Sequence, residues 1–409
     1  MPSIFHSYSM KRVTLIFTLF LLSLVSSAQT VDNDSLIPGS QREDFVTVSL
    51  LIASPGNSIY SVFGHCALRL QCPSQHLDYV YTFETENGLA GYIKFFAGQA
   101  KAGFAAITPQ EYLTPYKKEG RGVVAYPLNL TPHEKQELWR ALDEDMEQGP
   151  HRKYNLIKNQ CISMSFLMLE TILEDEFIDY DRLPRTYSNL NNGELVRKYS
   201  ESAPWGQFLY LTFMGSEADD YWEPEFRFAP GTMSWAMPTL RFVSIDRTKQ
   251  RPMLKGSPRV LQVTTLHPQP SPVSPEWVFG LLLLFTIIIT LAQCLKHGQK
   301  LAHAYDVTLF TLQSIAGVFL LYVTLVSGLF GLHWNWYLIL FNPLPLLLWL
   351  LFRHQVWYNK LFRIYTVVLV LSIPLLFLVT VQADLPHAMI IASLAIRSGY
   401  KGWVDRRQM

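Results

Sequence analysis

Hydrophobic positions divide the chain into two parts with different patterns. Between residues 44 and 246, the chain consists of short segments separated by turn signals. Within each segment, apolar residues either alternate with polar ones or recur every three to four positions. Such patterns predict short strands and amphipathic helices, which makes this part an α+β domain. After residue 276 the apolar runs are longer and carry few charges. They predict helices that cross a membrane.

The C-terminal part contains four runs long enough to cross about 30 Å of hydrocarbon. They are residues 277–295, 306–329, 336–352 and 364–381, and a shorter fifth run, 385–396, leaves open whether it crosses. Lys and Arg occupy every second loop and the tail: Lys296, Lys300, Arg353, Lys360, Arg363, Arg397, Lys401, Arg406 and Arg407. This alternation predicts about five spans in residues 277–409, with the C-terminus in the cytoplasm and the preceding domain outside it.

The first 28 residues have the pattern of a signal peptide. A basic pair at positions 11 and 12 precedes the apolar run 13–25, and small residues follow, so cleavage is expected before Gln29. Translation from Met10 fits the pattern better than translation from Met1, and a retained membrane anchor is the alternative. In either case the following segment is exported.

Export makes residues 29–267 a periplasmic domain, and the Pro-rich residues 268–276 a stiff linker to the membrane region of an inner-membrane protein. A net charge of +1 over 409 residues argues against nucleic acid as a partner. HExxH, paired CxxC, GxGxxG, Walker and GxSxG motifs do not occur in the sequence. We therefore expect neither a metal nor a cofactor.

Period-two patterns predict four strands in the exported domain, over residues 44–53, 61–70, 77–83 and 121–130. His65 lies in the middle of the second strand, between apolar neighbours. Residues 91–104 are rich in glycine and aromatic residues, and either line a pocket or cover the sheet. Thr131, Pro132 and Glu134 form a helix start with a capping box, and that helix should run to Met146.

The segment YNLIKNQCISMS, residues 154–165, places Cys161 at the start of an apolar run with helical spacing. In the first turn of a helix, free N–H groups and the helix dipole favour a thiolate over a thiol. Cys161 is therefore a candidate nucleophile, with an ordinary core cysteine as the alternative. His65 is the best candidate for its base, since the other exported histidines lie in loops, caps or the linker, although a satisfied core histidine is equally open.

The remaining exported cysteines bear on the state of that thiol. Cys66 and Cys72 are near enough in sequence to form a disulfide in a compartment that permits one, which would leave Cys161 free. A disulfide between Cys161 and either of them is the alternative, and it would block catalysis.

Four segments in order, FGHCALRL, DYVYTFE, YKKEGRGVVAYPLNLTPHE and YNLIKNQC, resemble the Lnb family of bacterial lipoprotein N-acyltransferases. Members of this family have a periplasmic N-terminal domain and a C-terminal membrane region. The resemblance covers about residues 44–246, and the pattern of spans extends it to the end. Residues of the family's motifs fall on Gly64, His65, Arg69, Gly120, Arg121, Asn159 and Cys161.

The resemblance implies a membrane-bound acyltransferase that needs no cofactor. Cys161, with His65 as base, would take an acyl chain from a phospholipid as a thioester and pass it to the N-terminal amine of diacylglyceryl lipoproteins. A third group would orient His65, with Glu84 and Asn159 as candidates. Further, Arg69 and Arg121 either contact lipid phosphate or a carboxylate, or form structural ion pairs.

Histidine before cysteine is also similar to the order in circularly permuted papain-like enzymes, which implies that fold for the periplasmic domain. This sequence departs from the family where Gln160 separates Asn159 from Cys161, and where Cys66 replaces a small residue. Two other functions remain open. One is a papain-like amidase or peptidase acting on cell-wall peptides, and the other is a non-catalytic envelope protein in which His65 and Cys161 only pack.

Overall fold

The described part of the chain begins at Val46. The computed structural model describes residues 46–57, 61–86, 88–156, 158–181, 190–220, 229–266, 273–327, 329, 334–352 and 357–404, which belong to one unit of the chain. The predicted signal peptide (1–28) and most of the predicted linker (268–276) lie outside these residues. Those two assignments and the domain boundaries drawn from them stay predictions.

Ten strands are present among the described residues: β1 Thr47–Ala53, β2 His65–Cys72, β3 Leu77–Thr85, β4 Lys101–Ile107, β5 Val123–Pro127, β6 Arg152–Lys153, β7 Glu176–Asp179, β8 Arg241–Ser244, β9 Gln250–Pro252 and β10 Arg259–Gln262. Seven of them form an antiparallel sheet in the order β10-β5-β1-β2-β3-β4-β6. The other three form a small sheet in the order β7-β8-β9.

Seven helices accompany these strands in the described residues: α1 Gly88–Phe96, α2 Pro109–Glu119, α3 Pro132–Glu147, α4 Cys161–Thr171, α5 Asn192–Tyr199, α6 Pro204–Phe213 and α7 Pro230–Ala236. The predicted capping box of α3 is confirmed, with Thr131 accepting the N–H of Glu134 and Glu134 accepting the N–H of Thr131. The prediction of an α+β domain is likewise confirmed, whereas its papain-like fold stays a prediction.

The main sheet is covered on both faces. Leu68 and Leu70 of β2 belong to a buried cluster with Ile162 and Phe166 of α4. Residues on the opposite face pack in a second cluster with two tyrosines of α2: Leu51, Ala53, Ala67, Val80, Tyr112 and Tyr116. Alternation of side chains along each strand therefore places α4 on one face and α2 on the other.

Two predicted elements differ from the structure. His65 is the first residue of β2, and not a mid-strand residue, because residues 61–63 form a turn and Gly64 has φ of +90°. The segment 91–104 contains the end of α1 and the start of β4, so it supplies a strand between β3 and β6. Its glycines obscured that strand in the sequence pattern.

The C-terminal region contains five further described helices: α8 Pro275–Cys294, α9 Gln299–Leu325, α10 Leu344–Phe352, α11 Trp357–Val379 and α12 Leu385–Gly399. Among the described residues, α8, α9 and α11 are long and apolar enough to cross a membrane. At nine residues α10 would extend only about 14 Å. Three of the five predicted spans therefore coincide with helices that are long and apolar enough to cross. The number of spans, including crossing by 336–352 and 385–396, stays a prediction.

Hydrogen bonds attach the periplasmic domain to the membrane region. Arg197 of α5 donates to the carbonyls of Val381 and Ala383 at 2.7 and 3.0 Å. The carboxylate of Asp219 accepts the N–H of Val381 at 2.8 Å. Near Cys161, the N–H of Leu156 donates to the carbonyl of Leu329 at 3.0 Å. The segment that precedes the candidate nucleophile is thus held beside the C-terminal end of α9.

Candidate active site

Cys161 is the first residue of α4, as the sequence predicts. Gln160 caps this helix: its side-chain oxygen accepts the N–H of Ile162 at 2.8 Å, and its own N–H donates to the Ser163 hydroxyl at 3.0 Å. The thiol of Cys161 lies 3.5 Å from the same side-chain oxygen of Gln160. The residue inserted before the cysteine therefore serves as the N-cap of its helix.

Three backbone N–H groups, those of Cys66, Ile162 and Cys161 itself, form hydrogen bonds to the thiol and favour its ionised form. Burial opposes them and is the larger effect, so the pKa of Cys161 rises to about 11. The N–H groups at this helix start thus favour the thiolate as the sequence predicts, but burial outweighs them and the resting group is a thiol. Because Cys66 directly follows His65, the same contact joins the start of β2 to the start of α4.

His65 begins a chain of hydrogen bonds that ends at a carboxylate. Its Nε2 atom lies 2.9 Å from Oγ1 of Thr82, and that hydroxyl donates to Oε1 of Glu84 at 3.2 Å. Thr82 has a single hydroxyl proton, which it gives to Glu84, so Nε2 of His65 must be the donor in the first bond. The neutral imidazole then carries its proton on Nε2, and Nδ1 is the basic nitrogen.

The environment of His65 favours the neutral imidazole. Burial and, to a smaller extent, the positive charge of Arg121 together lower the pKa of His65 from 6.5 to about 4. Together with the raised pKa of Cys161, this describes a neutral acid and a neutral base at rest. Such a pair transfers its proton when the nucleophile attacks, and not beforehand.

Arg121 is a buried cation, and two of its three guanidinium nitrogens have partners. It is 5% exposed, its Nε donates to the carbonyl of Ser54 at 2.7 Å, and its Nη1 lies 3.1 Å from the carboxylate of Glu119. Its guanidinium carbon lies 4.8 Å from the centre of the Tyr116 ring. Among the residues that the structure describes, none bonds to Nη2 of Arg121.

The other two candidate residues, Arg69 and Asn159, form hydrogen bonds that do not involve His65 or Cys161. Arg69 forms two hydrogen bonds to Asp78, at 2.8 and 2.6 Å, which is the structural ion pair weighed as one of its two roles. The side-chain amide of Asn159 donates to the carbonyl of Lys153 at 3.2 Å, so it closes the loop before α4. Of the two candidates for orienting His65, Glu84 is therefore the one in its hydrogen-bond chain.

All four cysteines of the chain are free. Cys66 and Cys72 lie in the same straight strand, six residues apart, which separates their Cα atoms by about 20 Å, far beyond disulfide range. A disulfide between them, which the sequence left open, is therefore absent, and so is the alternative disulfide between Cys161 and either of them. Within the described residues, no group of three or more His, Cys, Asp or Glu side chains could hold a metal ion.

Thr82 has no role that the sequence predicted, yet it is 1% exposed and connects His65 to Glu84. Strand register explains the contact: Thr82 of β3 pairs with Ala67 of β2, two residues from His65 and on the same face. A threonine inside the apolar run 80–83 was the available signal. Its role depends on the register between β2 and β3, which cannot be read from a single sequence.

Fold and site together define a class: a membrane protein whose periplasmic α+β domain carries a cysteine and a histidine at one end of its sheet. Two family models match the chain, the Lnb N-terminal periplasmic domain over residues 40–193 and the Lnb transmembrane domain over residues 267–408. Together they cover more than half of the chain, which therefore belongs to the Lnb family. The chain matches no curated protein and no solved structure.

Proposed function

We propose that this protein is a cysteine-dependent acyltransferase that N-acylates diacylglyceryl lipoproteins, with a membrane phospholipid as acyl donor. The observation that carries the proposal is the position of Cys161. Its thiol receives three backbone N–H groups: two lie at the start of α4, and the third belongs to Cys66 of β2, the residue after His65. Membership of the Lnb family supplies the substrate class.

In the first half-reaction, Nδ1 of His65 takes the thiol proton as the sulfur of Cys161 attacks the ester carbonyl of the phospholipid. Backbone N–H groups at the start of α4 stabilise the developing oxyanion. The C–O bond then breaks, the imidazolium returns its proton to the departing alkoxide, and a lysophospholipid leaves. The acyl chain remains on Cys161 as a thioester.

The α-amine of the lipoprotein's N-terminal cysteine attacks the thioester in the second half-reaction. His65 accepts a proton from the attacking amine, and the C–S bond breaks. The sulfur leaves as a thiolate and recovers a proton from the imidazolium. Glu84, through Thr82, stabilises the imidazolium that appears in both halves. Both substrates keep their acyl chains in the bilayer, which is why a membrane-attached domain suits this reaction.

The thioester is the feature that tests the proposal. Purified protein incubated with phospholipid should carry an acyl group on Cys161 that neutral hydroxylamine releases. The Cys161→Ser variant should carry no hydroxylamine-labile group, and His65→Gln should acylate at least a hundredfold more slowly. In cells that lack the gene, mass spectrometry should find lipoproteins with a free N-terminal amine, and Cys161→Ala should not restore acylation.

The same experiments separate the other functions. Hydrolysis of cell-wall peptides that requires Cys161, with unchanged lipoprotein N-termini in the deletion strain, would establish an amidase or peptidase instead. Full complementation by Cys161→Ala would remove both enzyme functions and leave a structural envelope protein.

A further inference from the structure

Helix α1 presents apolar side chains away from the protein. Leu89 is 77% exposed and Ile93, one turn later, is 61% exposed, so the two lie on the same face. By contrast, the exposed side of α3 carries charged residues such as Glu137, Arg140 and Glu144. Two large apolar side chains that remain exposed on one short helix mark a surface that contacts something apolar.

The end of α1 is attached to a membrane helix. The carbonyl of Ala97, one residue after α1, accepts a hydrogen bond of 2.9 Å from the hydroxyl of Tyr322. Tyr322 lies in the last turn of α9, and Val318 and Leu325, on the same side of that helix, are 56% and 60% exposed. An exposed apolar surface of α9, a helix long and apolar enough to cross a membrane, therefore reaches the end of α1, which points to lipid as the apolar partner.

Helix α1 also contacts the segment that precedes the nucleophile. The ring of Phe95 packs on that of Tyr154, with centroids 5.6 Å apart. Tyr154 lies close enough to Cys161 for the two groups to interact electrostatically. From Tyr154 the chain continues through Leu156, which is bonded to Leu329 of the membrane region. The segment that leads to Cys161 thus contacts both α1 and the membrane region.

We infer that α1 is a membrane-interface helix: Leu89 and Ile93 enter the acyl region of the periplasmic leaflet, and α1 forms the lipid-facing side of the entrance to Cys161. Short amphipathic helices bind lipid surfaces by burying such an apolar face below the headgroups. The membrane contact is independent of the proposed acyl transfer, whereas the role as an entrance rests on it.

Spin labels test the membrane contact. Full-length protein with Cys161→Ser and Cys294→Ser keeps only the buried Cys66 and Cys72, so a nitroxide attaches at an added cysteine, Leu89→Cys or Ile93→Cys. In vesicles of phosphatidylethanolamine and phosphatidylglycerol, both labels should be more accessible to oxygen than to a water-soluble nickel complex. The matched control is Ile245→Cys. Ile245 directly follows β8 and is 68% exposed, so a label there should be more accessible to the nickel complex than to oxygen. If the labels at both test positions were more accessible to the nickel complex than to oxygen, the inference would be overturned.

Charged substitutions test the entrance. Leu89→Asp combined with Ile93→Asp should slow transfer from vesicle phospholipid at least tenfold, while Cys161 alkylation by iodoacetamide and the Ile245→Asp control stay unchanged. Leu89→Ser and Ile93→Ser, which add no charge, give the same comparison if the double variant folds poorly. Undiminished transfer would remove the entrance role. Absence of transfer in the unsubstituted protein, with lipid-exposed spin labels, would refute the proposed function and leave the membrane contact standing.

Discussion

At the scale of single residues, the site consists of groups that are neutral at rest. Burial raises the pKa of Cys161 to about 11 and lowers that of His65 to about 4. A proton transfer that creates two buried charges is costly unless something stabilises the imidazolium as it forms. The hydrogen-bond chain through Thr82 to Glu84 supplies that stabilisation, and it also fixes the tautomer that leaves Nδ1 basic.

Thr82 is therefore expected to act as a positioning residue. Thr82→Val keeps the volume and the β-branched shape but removes the hydroxyl that connects His65 to Glu84. A hydrogen bond that supports a charged group contributes about 1.5–3 kcal/mol, so kcat should fall about 10- to 100-fold. KM for phospholipid should change little, and the measurement is the acylation rate of Cys161 at saturating lipid.

Thr82→Ser is the matched control, because it restores the hydroxyl and should recover most of the rate. Equal losses in both variants would mean that Thr82 acts by packing alone.

The pH dependence follows from the lowered pKa of His65. An imidazole that protonates near pH 4 still serves as a base at pH 5, so the acid limb of the kcat/KM profile should lie near 4 and not near 6.5. Arg121→Met removes a positive charge that lowers this pKa, so the limb should move toward 6.5. Arg69→Met, which breaks an ion pair of the same sheet, is the control and should leave the limb in place.

The sign for stability can be worked out from the same shift. Between about 6.5 and about 4 the unfolded chain binds a proton at His65 and the folded chain does not, so folding becomes less favourable as pH falls through that window. A limb near 6.5 in the unsubstituted protein would contradict the buried, neutral imidazole.

The sequence predicted some of these residues and not others. Cys161 and Glu84 were within reach, because a helix start and a strand end can be recognised locally. Thr82 and the connection from Cys66 to the thiol were not, since both depend on how β2 pairs with β3 and packs on α4. The effect of the N–H groups on Cys161 was predicted, but the larger effect of burial was not, because burial of a side chain cannot be read from its neighbours in sequence.

At the scale of elements, the start of β2 fixes the histidine. Gly64 has φ of +90°, a conformation that side chains rarely adopt, and a Cβ atom there would lie 2.6 Å from the carbonyl oxygen of Ala53. Ala53 pairs with His65 across β1 and β2. A larger residue at position 64 must therefore move the strand end that carries the imidazole.

Gly64→Ala is expected to destabilise the protein by about 1–3 kcal/mol and to slow acylation of Cys161 more than tenfold, because it adds strain and displaces His65. The matched control is Gly149→Ala, which also has positive φ (+63°) but nothing within 4 Å of its added Cβ. It should lose about 1 kcal/mol with no change in acylation rate. Thermal unfolding in detergent measures both, and equal effects on rate would contradict the role given to Gly64.

Capping signals predicted elements better than strand patterns did. The boundaries of α3 follow from Thr131, Pro132 and Glu134, whose roles are local. The strand β4 was obscured by Gly103, whose backbone is approached closely by that of Gly149. In the membrane region, hydropathy identified the apolar segments. It did not predict that residues 336–352 divide into a short turn and a nine-residue helix.

At the scale of the whole molecule, hydrogen bonds attach the periplasmic domain to the membrane region. The guanidinium of Arg197 binds two carbonyls in the loop between α11 and α12, and Asp219 binds the same loop. These bonds lie far in sequence from the nucleophile. They nevertheless belong to the same interface as the bond between Leu156 and Leu329 beside it.

Arg197→Met should loosen this attachment. It removes two hydrogen bonds made by a charged group and leaves two carbonyls without their partner, so the expected loss of stability is about 2–4 kcal/mol. Acyl transfer from vesicle phospholipid should fall severalfold, while alkylation of Cys161 by a small soluble reagent should not change. Arg140→Met, which breaks only an exposed helical ion pair, is the control and should alter neither rate. If Arg197→Met slowed alkylation as much as transfer, the attachment would act on the internal structure of the site and not on its position relative to the membrane.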